Sequence, residues 1–242
     1  IGLHFVQNFG PKDYGAGAQN WAIVQDKQGL MYFGNSAGVL QFDGVSWRAI
    51  PTANASTVRS LDIDADGRIF VGAQGEIGYL AVDPHESDSK MGRLRYVSLL
   101  NHIPEDKRDF SDVWETCVTS GGVFFRTNKR LFRWRDDGRG NGKMTVWVAE
   151  ATFDYAFSVH DTLYVGKTHE GLWRIVDDSL RQAPDNERLS GEYVAVMLPF
   201  VGQTPPKSLA ATGRGNLSVY DGGGFENFDA APEAKELLRK YR

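Results

Sequence analysis

Residues 21–50 read WAIVQDKQGLMYFGNSAGVLQFDGVSWRAI, and this stretch alternates short apolar segments with turns rich in Gly and Asp. Each apolar segment is long enough for a strand and too short for a helix. Glycine and aspartate between such segments are typical of tight hairpin turns. The stretch therefore predicts four antiparallel strands in succession and no helix.

The same pattern recurs along the chain. Its second predicted strand ends, at intervals of 38, 54, 40 and 46 residues, at Gly34, Gly72, Arg126, Gly166 and Thr212. Four-stranded repeats of this length are typical of β-propeller blades. We therefore expect an all-β fold, a single β-propeller domain over residues 1–242, with about five blades at residues 21–50, 57–100, 112–150, 151–184 and 194–229.

The C-terminal segment departs from the repeat. Residues 230–242 are predicted to form a short helical tail, with Pro232 and Glu233 in its first turn. Leu237, Leu238 and Tyr241 would give this helix one apolar side. The chain is expected to continue from this tail into a further blade.

Composition and charge make several classes of function less favoured. The 242-residue chain has a formal net charge of −4 and a pI near 5.8, which disfavours binding to nucleic acid or to an anionic membrane. No apolar run approaches the roughly 20 residues that a membrane-spanning helix needs. The single cysteine, Cys117, lies in an apolar run and is expected to be buried.

Two motifs suggest ligands only in part. Asp62, Asp64, Asp66 and Gly67 match the opening of a calcium loop, but Ala73 stands where the loop needs its last acid. The alternative is a hairpin turn with Asp66 and Gly67 at its tip, and the sequence leaves both interpretations open. The glycine-rich residues 138–145 lack the pattern of a phosphate loop. We predict no cofactor and no metal.

Tryptophan is the most informative aromatic residue. Most of its six copies are expected to pack between blades. Trp21 and Trp114 lie near the starts of predicted blades, where they could instead line the mouth of the propeller axis. Aromatic faces in that position stack well on sugar rings and other flat ligands.

The first two repeats carry family motifs. QNW at residues 19–21, YFGN at 32–35, FDG at 42–44 and VRSL at 58–61 occur in order and at blade spacing. In these elements the chain resembles the two-component regulator propeller family, over roughly residues 14–80. Members of that family are periplasmic sensor regions of hybrid histidine kinases, related transcription regulators and some diguanylate cyclases, often followed by a triple-tyrosine module.

The resemblance implies a function. The chain would be a fragment of a seven-bladed propeller, the periplasmic ligand-sensing part of an inner-membrane signalling protein, without catalytic activity of its own. The implied partner is a small molecule, such as a carbohydrate. Separately, unpaired strand edges of an open ring would allow a homodimer, and the net charge disfavours nucleic acid. The residues expected to bind the ligand are Gln19, Asn20, Trp21, Arg59, Glu76 and Trp114.

Two alternatives stay open from the sequence. The candidate ligand residues could equally be hydrogen-bonding residues between blades. The chain could also be a protein-interaction scaffold, or a propeller-based lyase or glycosidase using acids drawn from Asp62, Asp64, Asp154 and Glu192. Carboxylates clustered around an open pocket would favour the enzyme.

Overall fold

The computed structural model describes residues 6–84, 93–136, 142–189 and 191–228. Within them, the strands form five four-stranded antiparallel sheets, which confirms the predicted all-β propeller with five blades. Helical structure in this part of the chain is limited to one turn, α1 (Pro11–Tyr14), and to 3₁₀ turns at Leu100–His102, Glu105–Lys107 and Asn186–Leu189. The predicted tail at 230–242 and half of the glycine-rich segment at 138–145 lie outside the described residues.

The chain divides into two compact units, residues 1–116 and 117–242, and each has its own sheets. In the first unit, the first sheet consists of β1 (Asn20–Gln25), β2 (Met31–Asn35), β3 (Gly38–Phe42) and β4 (Trp47–Ile50). The second sheet consists of β5 (Val58–Ile63), β6 (Ile69–Ala73), β7 (Glu76–Val82) and β8 (Leu94–Ser98). In both sheets, the order of strands in space is their order in the chain.

The second unit contains three sheets, and the unit boundary falls within the first strand of the third sheet. This third sheet consists of β9 (Glu115–Thr119), β10 (Gly122–Arg126), β11 (Arg130–Arg135) and β12 (Lys143–Val148). The fourth consists of β13 (Phe153–Val159), β14 (Thr162–Lys167), β15 (Gly171–Val176) and β16 (Ser179–Gln182). The fifth consists of β17 (Val194–Phe200), β18 (Lys207–Thr212), β19 (Leu217–Tyr220) and β20 (Phe225–Asn227).

The second strand is almost entirely buried in three of the sheets, those of β6, β10 and β14. In β6 every residue is buried, because both faces of the strand are covered. Val71 of β6 belongs to the core of the first unit, together with Val39 and Val58. In the second unit, Val165 of β14 has the corresponding place in a cluster with Phe124 and Phe153. Each unit therefore buries apolar side chains from neighbouring sheets.

Aspartates set the hairpins that join first and second strands in the first unit. Asp26 Oδ1 accepts hydrogen bonds from the backbone N–H groups of Gln28 and Leu30, both at 2.9 Å. Asp64 Oδ1 does the same for Asp66 at 3.0 Å and Arg68 at 2.8 Å. Such side chain to backbone bonds define Asx turns. The acidic motif at 62–66 therefore forms the hairpin turn that was the alternative to a calcium loop.

Among the described residues, no helix has the length and apolar character that crossing a lipid bilayer would require.

Candidate functional site

A backbone irregularity marks the start of the first strand in most sheets. The ladder between first and second strands shifts register at Trp21 in β1, at Arg59 in β5 and at Ala195 in β17. In β13 the shift covers Asp154 and Tyr155. Each shift is a β-bulge, which adds one unpaired residue and redirects a side chain out of the sheet. The sheets that begin with β1, β5, β13 and β17 therefore each hold a residue outside the strand pairing at the start of the first strand.

In the first unit, the bulges bring three of the predicted ligand residues together. The guanidinium carbon of Arg59 lies 4.0 Å from the ring centroid of Trp21 and 5.3 Å from that of Trp114. The two indoles meet edge to face, with centroids 6.2 Å apart and planes at 70°. Trp21 is 43% exposed and Trp114 is 36% exposed, so both rings remain partly open to solvent. Cation–π attraction holds Arg59 between them.

Asp112 completes this cluster, and the sequence had not pointed to it. Arg59 Nε donates a 2.7 Å hydrogen bond to Asp112 Oδ1, and both side chains are mostly buried. This bond fixes the guanidinium by its inner nitrogen. Within the described parts of the chain, the two terminal Nη groups of Arg59 have no hydrogen-bond partner. We refer to Trp21, Arg59, Asp112 and Trp114 as the Arg59 cluster.

Asn20 and Gln19 contact the side-chain amide of Asn35. The Asn35 side chain is fully buried, and its Nδ2 lies 2.8 Å from Asn20 Oδ1, 2.9 Å from the carbonyl of Gln19 and 2.7 Å from that of Gly17. Asn35 Oδ1 accepts from the backbone N–H of Ala37. Asn20 is thus a partner of a buried amide, and Gln19 contributes its backbone. The exposed Gln19 side chain is the part that a ligand could reach.

Glu76 lies apart from the Arg59 cluster. It is 1% exposed at the start of β7, and its Oε1 accepts from Ser98 Oγ at 2.7 Å and from the backbone N–H of Ile77 at 3.2 Å. Burial raises the pKa of the Glu76 carboxyl above its ordinary value of 4.5. Burial and the nearby Glu76 carboxylate also raise the pKa of Tyr96. A surface ligand would not reach Glu76 without local rearrangement.

A pocket of about 310 Å³ opens in the second unit, at the start of β13 and just before β17. Its described lining residues are Asn128, Thr152, Phe153, Asp154, Tyr155 and Tyr193. Of these, only Asp154 was singled out from the sequence, as an acid of the enzyme alternative. The sequence did carry a signal for the two tyrosines. Tyr155 falls at the repeat position of Trp21, and Tyr193 directly precedes a first strand.

The remaining acids of the enzyme alternative that the structure describes include Glu192 and Asp64, which have local hydrogen-bond partners. Across residues 6–84, 93–136, 142–189 and 191–228, no three His, Cys, Asp or Glu side chains come together as a potential cation site. Glu192 contacts Asn216 Nδ2 at 3.1 Å, and Asp64 is engaged by backbone N–H groups. The chemistry that the Arg59 cluster offers is recognition: two aromatic faces and oriented N–H donors suit a ligand with oxygen acceptors and a flat or sugar-like surface.

No protein-family model matches the sequence, and no curated protein matches it. Solved structures do. The extracellular domain of BT3049, described as a hybrid two-component system of B. thetaiotaomicron, has a TM-score of 0.60 and 19% identity, over 91% of this chain and 31% of that one. The extracellular domain of BT4673, a second such system from that organism, has a TM-score of 0.59 and 18% identity, over 88% and 28%.

An enzyme with this fold also matches. Virginiamycin B lyase from Staphylococcus aureus has a TM-score of 0.53 and 16% identity, over 83% of this chain and 69% of that one. At such identities the likenesses establish the β-propeller fold. This chain spans less than a third of the length of either B. thetaiotaomicron domain.

Proposed function

We propose that this chain is part of the extracytoplasmic region of a membrane-bound two-component or cyclic-di-GMP signalling protein, where it binds a small molecule and carries out no catalysis. The observation that carries the proposal is the Arg59 cluster. Two half-exposed indoles and an arginine held by Asp112 form a recognition surface. The motifs QNW and VRSL, which carry the family resemblance, supply Trp21 and Arg59 to this surface.

The ligand that fits best is a carbohydrate fragment. A sugar ring can stack on an exposed indole face, while the Arg59 Nη groups donate to hydroxyl or carboxylate oxygens. Because Asp112 already fixes Nε, the guanidinium loses little conformational freedom on binding. Binding becomes a signal when the ligand favours one arrangement of the complete receptor over another.

Titration calorimetry with three trisaccharides tests this proposal: trigalacturonate, which carries carboxylates, and the neutral cellotriose and mannotriose. We expect saturable binding of at least one of them. The Arg59→Ala variant should weaken it by roughly tenfold or more, as loss of a charge-assisted contact does. Trp114→Ala should weaken it as well, because the stacking face is lost. Binding should also change the tryptophan fluorescence.

The matched control is Arg95→Ala, which removes an exposed arginine from the same unit. It should bind as the unaltered protein does. The proposal fails if none of the three saccharides binds at about 10 mM. It also fails if folded Arg59→Ala and Trp114→Ala proteins keep full affinity. Turnover of any of these saccharides on prolonged incubation would contradict the non-catalytic part.

A further inference from the structure

The pocket of the second unit has an aromatic wall with a carboxylate beside it. The rings of Tyr155 and Tyr193 stack with centroids 5.8 Å apart and planes at 20°. They are 38% and 45% exposed, which is unusual for large rings in contact with each other. An aromatic pair that stays open to solvent in a concave site suits a ligand with a flat or cationic group.

Asp154 is the charged residue in the described lining of this pocket. Its Oδ1 accepts hydrogen bonds from Thr168 Oγ1 at 2.5 Å and Thr152 Oγ1 at 3.3 Å, which fix the orientation of the carboxylate. Among the described residues, Asp154 Oδ2 has no hydrogen-bond or ion-pair partner. The carboxylate is therefore oriented by neutral hydroxyls and keeps an unused acceptor.

A buried guanidinium supports two residues of the pocket lining. Arg126 is 4% exposed. Its Nη1 donates to Asn128 Oδ1 at 3.1 Å and to the backbone carbonyl of Phe153 at 3.2 Å. Arg126 thus supports two lining residues from inside the protein.

The first unit shows what such a set of groups can hold. In the Arg59 cluster, two aromatic rings and the Asp112 carboxylate surround the guanidinium of Arg59, which the bulge of β5 supplies. The second unit has the same groups, with Tyr155, Tyr193 and Asp154. At its bulge position, however, β17 carries Ala195. The aromatic pair and the acid are present there without the cation.

We propose that this pocket binds an organic cation, a guanidinium or an alkylammonium group, as the Arg59 cluster holds the Arg59 side chain. The cation packs on the Tyr155 and Tyr193 faces and donates to Asp154 Oδ2. The group can belong to a free amine or to an arginine side chain of a peptide. This inference rests on residues of the second unit and on their comparison with the Arg59 cluster. Its test is independent of the test of the proposed carbohydrate site.

Agmatine is the probe, because it carries a guanidinium at one end and an ammonium at the other. We expect saturable binding by calorimetry at low ionic strength, weakening as salt is added. Asp154→Asn keeps the hydrogen bonds from the threonines and removes the charge, so it should weaken binding roughly tenfold. Tyr193→Ala should weaken it roughly fivefold or more through loss of the ring.

Two further variants sharpen the test. Asp177→Asn removes the same charge from an 84% exposed carboxylate in the same unit, and it should leave agmatine binding unchanged. Ala195→Arg places a guanidinium at the bulge position, so it should compete with agmatine and reduce binding. Thermal melts of every variant check that the fold is retained.

Several outcomes would overturn the inference. Agmatine could fail to bind at about 10 mM. Folded Asp154→Asn and Tyr193→Ala proteins could bind it with full affinity. Neutral maltotriose could bind in an Asp154-dependent way while agmatine does not.

If a capped arginine amide binds more tightly than agmatine, the cation comes from a peptide, and the reverse order indicates a free amine. Both orders support the inference.

Discussion

Single buried polar residues determine how the Arg59 cluster is held. Asn35 shows this best, because its amide reaches three oxygens of the segment that leads into Trp21. In the sequence, Asn35 is distinguished only as the last residue of the YFGN motif at 32–35. Its role depends on contacts with residues 17–20, which no local pattern reveals. Asp112 escaped prediction for the same reason, since its partner Arg59 is 53 residues away in the chain.

Replacing Asn35 by Asp tests this buried amide. The new carboxylate would face the carbonyls of Gly17 and Gln19 and the Asn20 Oδ1, all of them acceptors. We expect a loss of about 3 kcal/mol or more in the free energy of unfolding, measured by denaturant titration. Asn54→Asp makes the same change at an exposed asparagine of the same unit and should cost less than about 1 kcal/mol. Equal losses at both positions would contradict the role given to Asn35.

Glu76 makes a prediction about pH. The folded-state pKa of its carboxyl is raised by burial above the value of 4.5 in the unfolded chain, so folding favours the protonated form. The stability this provides is fully present below pH 4.5 and is lost as pH rises through the folded-state pKa. Glu76→Gln has no such proton to lose. Thermal melts from acid to neutral pH should show the variant gaining stability relative to the unaltered protein.

The titration of the other carboxylates changes the stability of both proteins alike. The difference in stability between the two proteins at each pH therefore isolates the contribution of Glu76. Asp43, for example, has a pKa lowered to about 2 by hydrogen bonds from Ser46 and Val45, and its effect cancels in the comparison. A difference that does not vary with pH would show that folding does not raise the pKa of Glu76.

Among the elements, the second strands were the most predictable and the bulges were the least. The apolar runs ending at Gly34, Gly72 and Gly166 predicted β2, β6 and β14, because continuous apolar residues between glycine turns are a strong strand signal. A bulge is a shift in pairing between two strands. Neither strand alone encodes it, so the sequence could place Trp21 and Arg59 near blade starts without showing that they meet.

The glycines that end these second strands differ in what surrounds them. A Cβ on Gly72 would lie 2.4 Å from Ser60 Oγ and 2.5 Å from Val113 Cγ1, so neighbouring side chains fill its place. A Cβ on Gly166 would lie no closer than 3.6 Å to Asp154 Cβ, an ordinary contact. Gly72→Ala should therefore cost about 1–3 kcal/mol of stability through overpacking.

Gly166→Ala is the matched control for Gly72→Ala and should change the free energy of unfolding by less than about 0.5 kcal/mol. Denaturant titrations of both variants provide the comparison. If the two alanines prove equally costly, the difference in packing around the two strands is not what limits substitution there.

At the scale of the whole molecule, repeat spacing predicted the β-propeller fold, and the five four-stranded sheets confirm it. The single domain over residues 1–242 stays a prediction, and the residues group into two compact units, 1–116 and 117–242. Each unit is held by its own apolar clusters, and side-chain packing of this kind does not follow from a repeat period. The homodimer expected from unpaired strand edges stays a prediction, which light scattering at several concentrations can test.

A cavity in one unit should loosen that unit first. Val71 and Val165 are both fully buried, in β6 and β14 respectively. Val71→Ala and Val165→Ala should each cost about 2 kcal/mol. Hydrogen–deuterium exchange followed by peptide mass spectrometry should then show faster exchange in residues 1–116 for the first variant and in 117–242 for the second. Equal acceleration in both units for either variant would mean that the chain opens as one cooperative block.

At the bulge near the start of the first strand, the side chain can vary without changing the strand pairing that stabilises the sheet. Its extra residue makes no ladder pair with the second strand, so exchanging that side chain leaves the hydrogen-bonded frame in place. The residue at this point is tryptophan in β1, arginine in β5, tyrosine in β13 and alanine in β17. A library that randomises positions 21, 59, 155 and 195 would explore recognition chemistry on a constant scaffold, much as variable loops do in an antibody.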